Sequence, residues 1–362
     1  LTYNLSELQD LYMNTLDRIS KTEGSSDRIY RFKAARYSPA IYVKEESKDN
    51  LSKELEVKTG IKFGLLIGRQ ANVAKFMRHL LVGRFESSVA AFKESLGYMI
   101  QSSEHILKWV EKRHKIPIFK KGNLPDVNSF YDTSEDDWEE ITDMFEKYEA
   151  KGFFEIDMKY VKDDFVEDVK SDLKLLKELQ KKWFGADNTI QFDPKLTSFV
   201  KIVKKMMKKD PYRKLIVFSE YADTVDYLGE ELENAGLPVM KYTSADATQA
   251  NKDCIRANFD AGMKLSLQQS DYHILVATDA ISEGYNLHRA GAIFNYDIPY
   301  NPTRVIQRIG RINRINKKVF DELYIYNYFP TDVGEAETRT KEISTLKMAM
   351  IHAIMGEDTK AL

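Results

Sequence analysis

From about Asp193 onward the chain alternates short apolar runs with stretches of helical spacing. The run KLIVFSEY is apolar at consecutive positions and bounded by polar residues, the pattern of a strand buried on both faces. TVDYLGEELENAG follows at helical spacing and closes at Gly236, a residue suited to a helix end. LPVMKYT predicts a second strand and QANKDCIRANFDAG a second helix closing on glycine. YHILVAT, GAIFNYD and ELYIYNYF predict three further strands. Strands that alternate with helices predict an α/β fold: a parallel sheet with helices on both faces. Such sheets bind ligands beyond the carboxyl ends of their strands, so the residues just after each strand are the ones to weigh.

Residues 1–190 read differently, as helices with polar connections. The clearest helical stretch is VAKFMRHLLVGRFESSVAAFKESLGYMIQSSEHILKWVEKR, where Val89, Phe92, Leu96 and Met99 recur at three and four residues. The acid-rich run DTSEDDWEEITDMFEKYEAKG reads as a solvated helix face or connector, since consecutive acids fix no ligand geometry. The expected division is a mainly α-helical region over 1–190, the α/β domain over 191–330 and a helical extension over 331–362.

Two strand ends stand out. HILVAT leads into DAISEGYNL, and GAIFNYD leads into IPYNPTRVIQRIGRINR. Asn301 and Pro302 form a helix start, a side-chain acceptor followed by proline in the first turn. On a helix from Thr303, at about 100° per residue, Arg304, Gln307, Arg308, Arg311 and Arg314 share one face. Val305, Ile309 and Ile312 fall opposite and can pack on the sheet. Rigid guanidinium forks suit phosphate oxygens. The competing reading is a set of surface salt bridges; four arginines on one face at a sheet's carboxyl edge favour the anion.

Overall charge does not explain that cluster: 54 Lys and Arg face 56 Asp and Glu, a net of −2. A second basic stretch, KLTSFVKIVKKMMKKDPYRK, is amphipathic, with Phe199, Ile202, Val203 and Met206 at helical spacing. It fits DNA phosphates or an ordinary solvated face. No apolar run of the length of a membrane span occurs, and the N-terminus lacks the pattern of a signal peptide. The first residue is Leu1, which suggests a piece of a longer polypeptide. The single cysteine, Cys254, excludes an internal disulfide and fits a reducing, cytoplasmic setting. The six histidines form no ligand pair one helical turn apart, so no zinc site is expected.

Three of these segments together resemble superfamily 2 helicases. VATDAISEGYNL resembles motif V, QRIGRINR resembles motif VI (Gln-Arg-x-Gly-Arg-x-x-Arg), and KLIVFSEYADTVDYL is similar to the motif IV strand and helix. They occur in the family's order and span about 193–330. GYNL and FSEYADT are similar to the SWI/SNF-related DNA translocases, in particular the bacterial branch associated with RNA polymerase. GRFESSVAAFKESL and the terminal KEISTLKMAMIHAIMGEDTKAL also resemble bacterial members. This resemblance implies the second RecA-like lobe of an ATP-dependent motor, with ATP and Mg in the cleft against a first lobe. It implies Arg311 and Arg314 as arginine fingers on the γ-phosphate, and Gln307 and Arg308 as ties to the first lobe and the nucleotide. It implies Asp279 and Glu283 as coupling residues, and Gly284 as a point of close backbone approach. Thr278, Ser219 and Tyr221 become candidate phosphate contacts on the tracking strand of duplex DNA. The implied partners are duplex DNA, the upstream lobe, and RNA polymerase or another protein. The implied location is the bacterial cytoplasm, at the nucleoid.

No phosphate loop of the form G-x-x-x-x-G-K-[ST] occurs. The Asp-Glu pair in FDELY precedes its strand, whereas a metal-binding acid belongs after one. The first lobe is therefore expected upstream in the parent, its acid supplying the metal ligand, and the isolated chain should hydrolyse ATP negligibly. The helical region would then connect the lobes. A non-motor anion- or partner-binding domain and an RNA-directed helicase are the rival readings.

Overall fold

The computed structural model describes residues 5, 8–20, 30–59, 62–118, 154–282, 285–299, 302–312 and 319–328. They form two compact units. One takes 8–85 and 92–191; the other takes residue 5, 86–91 and 192–328.

The first unit is mainly helical: α1 (Gln9–Ser20), α2 (Lys48–Thr59), α3 (Phe63–Ser87), α4 (Val89–Arg113) and, after a small hairpin, α5 (Asp164–Phe184). The hairpin pairs β1 (Lys115–Ile118) antiparallel with β2 (Phe154–Asp157), Ile116 opposite Ile156. Four-residue strands separated by more than thirty residues leave no hairpin signal in sequence, so a region read as helical carries a strand pair. The acid-rich run between them and the extension 331–362 lie outside the described residues. Burial of Phe85, Phe92 and Trp183 closes this unit's aromatic core, with Trp183 Nε1 donating to Thr15 Oγ1 at 2.9 Å.

The stretch read as helical is two helices, with the break at Ser88. The Ser88 hydroxyl accepts the Ala91 N–H at 3.0 Å, a side-chain cap that begins α4. Residues 86–91, where α3 ends and α4 starts, belong to the second unit.

That unit runs α6 (Pro194–Lys209), β3 (Lys214–Phe218), α7 (Ala222–Asn234), β4 (Val239–Tyr242), α8 (Gln249–Phe259), β5 (Ile274–Ala277), β6 (Ala290–Asn295), α9 (Pro302–Ile312) and β7 (Tyr324–Asn327). All five predicted strands are present, each shorter than its apolar run. They form one parallel sheet in the order β4-β5-β3-β6-β7. β3, β5 and β6 are buried along their whole length, as expected for central strands covered on both faces. Phe199, Val203, Val225, Leu228, Val217 and Phe294 pack on one face. Ile255, Phe259, Ile216, Phe218, Ile293 and Ile312 pack on the other.

Gly236 takes φ 77°, and the Leu237 N–H returns to the Leu232 carbonyl at 3.0 Å, so this glycine ends α7 as expected. The second helix does not close on glycine. It stops at Phe259, and the Asp260 carboxylate accepts the Gly262 N–H at 2.7 Å in a turn beyond it.

Candidate functional site

Parallel pairing brings the carboxyl ends of β3, β5 and β6 to one edge, and the polar residues that follow them meet there. Asp297, just past β6, accepts the hydroxyl of Ser219 and, at 3.0 Å, the N–H of Glu220, both just past β3. Ser219 Oγ in turn accepts the Tyr221 N–H at 3.1 Å, which sets the entry into α7. Past β5, Thr278 is buried; its N–H donates to the Tyr242 carbonyl at 3.1 Å and its hydroxyl accepts the Ala280 N–H at 3.3 Å.

Helix α9 joins this cluster through Arg308, whose side chain is fully buried. Its Nε and Nη2 donate to the two Asp279 oxygens, each at 2.7 Å. Its Nη1 donates to Asn295 Oδ1 at 3.0 Å and to the Asp297 carbonyl at 3.3 Å. The guanidinium carbon lies 4.8 Å from the centre of the Phe218 ring. Burial disfavours the Arg308 charge, but attraction to Asp279 and the bonds to it outweigh that, and its pKa is raised above the usual arginine range.

This corrects the expected single cationic face. Arg308 lies with Val305 and Ile312 on the buried side of α9, while Thr303, Gln307 and Gly310 are exposed. Arg304 reaches inward too, 3.8 Å from Asp279 and 4.0 Å from Glu220. Arg311 is partly exposed; its Nε is buried and meets no hydrogen-bond partner among the described residues. The carbonyl of Arg311 accepts the Leu287 N–H at 3.1 Å, which anchors the last turn of α9.

The side chain of Ser219, expected at a nucleic-acid phosphate, is fully buried and its hydroxyl is committed to Asp297. Thr278 is likewise internal, whereas Tyr221 is partly exposed at the cap of α7. Arg308, expected to tie the helix to a nucleotide, uses four of its N–H donors inside this unit. Asn301, Arg314, Glu283 and Gly284 lie outside the described residues. The structure thus brings together Ser219, Asp279 and Arg308, and leaves Gln307 pointing to solvent.

Four members of the cluster escaped sequence reasoning: Lys195, Glu220, Asn295 and Asp297. Lys195 is buried, and its ammonium donates to the carbonyls of Glu86 at 3.0 Å and Ser87 at 2.8 Å. It lies 3.9 Å from Asp297 and 4.1 Å from the centre of the Tyr296 ring. Burial lowers its pKa, against the pull of Asp297, Glu86 and Asp193. Its spacing to Phe199 and Val203 put it on the apolar stripe of its helix, and a lysine on that stripe was the available signal. The Glu220 carboxyl is pushed up to about 7, chiefly by burial, with Arg308 opposing and Asp279 and Asp297 adding to the rise. The edge therefore holds a guanidinium locked in place, a half-covered guanidinium beside it and a carboxyl that titrates near neutrality. Such a group of fixed donors can orient a charged neighbour without reorganising.

Residues 195–316 match the helicase conserved C-terminal domain. Among curated proteins, the chain is 32% identical over 143 residues to an uncharacterised ATP-dependent helicase, YqhH, of Bacillus subtilis, covering 39% of this chain and 22% of that protein. It is 29% identical over 143 residues to the mouse protein DDX28, named a probable ATP-dependent RNA helicase, covering 39% of this chain and 25% of that one. The chain thus spans a quarter or less of the length of these relatives. Among solved structures, the Hef helicase domain of Pyrococcus furiosus aligns over 94% of this chain and 57% of its own, at 14% identity and a TM-score of 0.44. The matched residues contain every member of the edge cluster described above, from Lys195 to Arg311.

Proposed function

We propose that this chain supplies the second motor lobe of an ATP-driven translocase or helicase acting on duplex DNA. Arg311 and Arg314 serve as the residues that reach the γ-phosphate. The observation that carries the reading is the buried Nε of Arg311, a donor without a protein partner among the described residues, on a helix turn fixed by Leu287. An orphaned guanidinium donor at a sheet's carboxyl edge fits a phosphate oxygen brought by another lobe. ATP with Mg, held by the upstream lobe, supplies the transferring phosphoryl group. Arg311 then stabilises charge that builds on its oxygens, an effect worth about 10³–10⁵ in rate in related phosphoryl-transfer systems. Arg308 does not contact the nucleotide. It is a positioning residue: with Asp279 it holds α9 in register with the segment after β5, so that nucleic-acid grip and nucleotide state bias one another.

The duplex-DNA assignment rests on the resemblance of GYNL and FSEYADT to SWI/SNF-related translocases, which also makes RNA polymerase a candidate partner. A second reading has its own support, since DDX28 is named an RNA helicase. ATP turnover by the full-length parent, stimulated by duplex DNA or by duplex RNA of the same sequence, separates them. Stimulation by DNA well above that by RNA supports the proposal. The reverse order assigns the motor to RNA.

A further inference from the structure

Helix α6 carries a charge pattern that the edge cluster does not use. Lys201, Lys204, Lys205, Lys208 and Lys209 are all exposed. At about 100° per residue, the first four fall within about 100° of arc, opposite buried Leu196, Phe199 and Val203. None of the five makes an ion pair or hydrogen bond among the described residues. Elsewhere in this unit half-buried Lys241 meets Asp226, and exposed Arg256 meets Asp253. Asp210, the acid nearest in sequence, is taken by Arg213 at 3.0 Å.

Lys208 and Lys209 have a local reason, because cations in a last helical turn favour the helix dipole. Lys201, Lys204 and Lys205 sit above that turn and have none. Four like charges within about 10 Å, at about 1.5 Å per residue, repel one another weakly in salt and favour a polyanion that displaces their counterions. The net charge of −2 makes the track a local exception rather than a general basic character.

Its placement separates it from the edge cluster. Lys195 marks the carboxyl edge of the sheet, and α6 runs from there to the turn that starts β3 at the amino edge. Lys208 is therefore about 20 Å from Lys195 along the helix. Three residues beyond Lys209, Tyr212 is 85% exposed, a large aromatic ring in open solvent. A line of lysines that ends in an exposed aromatic combines phosphate neutralisation with a stacking platform.

We infer that the outer face of α6, with Tyr212, binds a single strand of nucleic acid along the flank of the sheet. The lysines track its phosphates and Tyr212 stacks on an unpaired base. A duplex satisfies the lysines equally but offers Tyr212 no free base face, so the ring favours the single strand.

The test uses this 362-residue chain and fluorescein-labelled single-stranded DNA, beside the same sequence as a duplex, with anisotropy read across a salt series. Lys201→Gln, Lys204→Gln, Lys205→Gln and Lys208→Gln combined should reduce the slope of log K against log salt by about 2–3 for the single strand. Tyr212→Ala should loosen single-strand binding by about 5- to 100-fold and leave duplex binding unchanged. All five side chains are exposed, so circular dichroism and urea unfolding should match the parent chain. An unchanged salt slope in the lysine variant overturns the proposal. So does single-strand binding that is insensitive to Tyr212→Ala.

Discussion

Arg308 and Asp279 meet side-on, with two parallel hydrogen bonds of 2.7 Å between a fully buried guanidinium and a carboxylate that is 15% exposed. The pair ties α9 to the short helical turn just after β5, which packs against it. Breaking one partner of a buried pair costs about 3–5 kcal/mol, because the other charge is stranded. Asp279→Asn should therefore lower the unfolding free energy of this chain by roughly that amount in urea titration. Arg308→Met combined with Asp279→Leu should cost less than Asp279→Asn alone, since neither charge of the pair is left without the other. A double variant less stable than the single one would show that the pair contributes more than mutual neutralisation.

Lys195 should be as sensitive. Lys195→Met leaves the Glu86 and Ser87 carbonyls without their donor and Asp297 without its nearest cation. The expected loss is about 2–4 kcal/mol. Lys195→Arg should not restore it, because a planar fork replaces a compact charge held between two carbonyls and the Tyr296 face. The exposed Lys201→Ala on the same helix should change stability by less than about 0.5 kcal/mol. Equal effects at Lys195 and Lys201 would refute the buried network.

The carboxyl of Glu220 gives the α/β unit a pH dependence of definite sign. Its folded pKa, about 7, lies above the ordinary glutamate value, so the folded state holds a proton that the unfolded chain has lost. That stability is fully present below the ordinary value and is lost as pH rises through about 7. Unfolding midpoints in urea should fall as pH rises from the ordinary glutamate value to about 7 and level off above it. Glu220→Gln should flatten part of that fall. The wild-type slope persisting in the variant would assign the effect to other groups, among them Asp172 and Asp193, both raised to about 6 chiefly by burial.

Ser88 offers a smaller test. Its hydroxyl caps α4 and also meets Thr224 Oγ1 at 2.8 Å. Ser88→Ala should destabilise the chain by about 1–2 kcal/mol. A change below the error of urea titration would mean that the helix break is set by packing alone.

The α/β sheet was legible because its strands are uninterrupted apolar runs with breakers between them, and consecutive burial is a strong signal. The edge was legible in outline: residues after parallel strands must converge, the helical wheel named Arg308, and the resemblance to superfamily 2 motifs named Ser219 and Asp279. What a helical wheel could not show was depth. It placed Arg308 on one cationic face with Arg304, Gln307, Arg311 and Arg314, yet the partner that carries Arg308 inward, Asp279, is 29 residues away in sequence. Lys195 was hidden among eight basic residues of one stretch, although its spacing to Phe199 and Val203 distinguished it. The break at Ser88 was missed because serine continues a helical pattern unless its hydroxyl turns back to the backbone. The β1–β2 pair left no trace because its partners are far apart and only four residues long.

The central claim is that α9 presents Arg311 to a transferring phosphate. The most direct measurement is DNA-stimulated ATP turnover by the full-length parent beside its Arg311→Ala variant, with nucleotide binding measured separately. The account predicts a loss of about 10³-fold or more in stimulated turnover with nucleotide affinity largely retained. Turnover equal to that of the parent would contradict it and remove Arg311 from the chemistry.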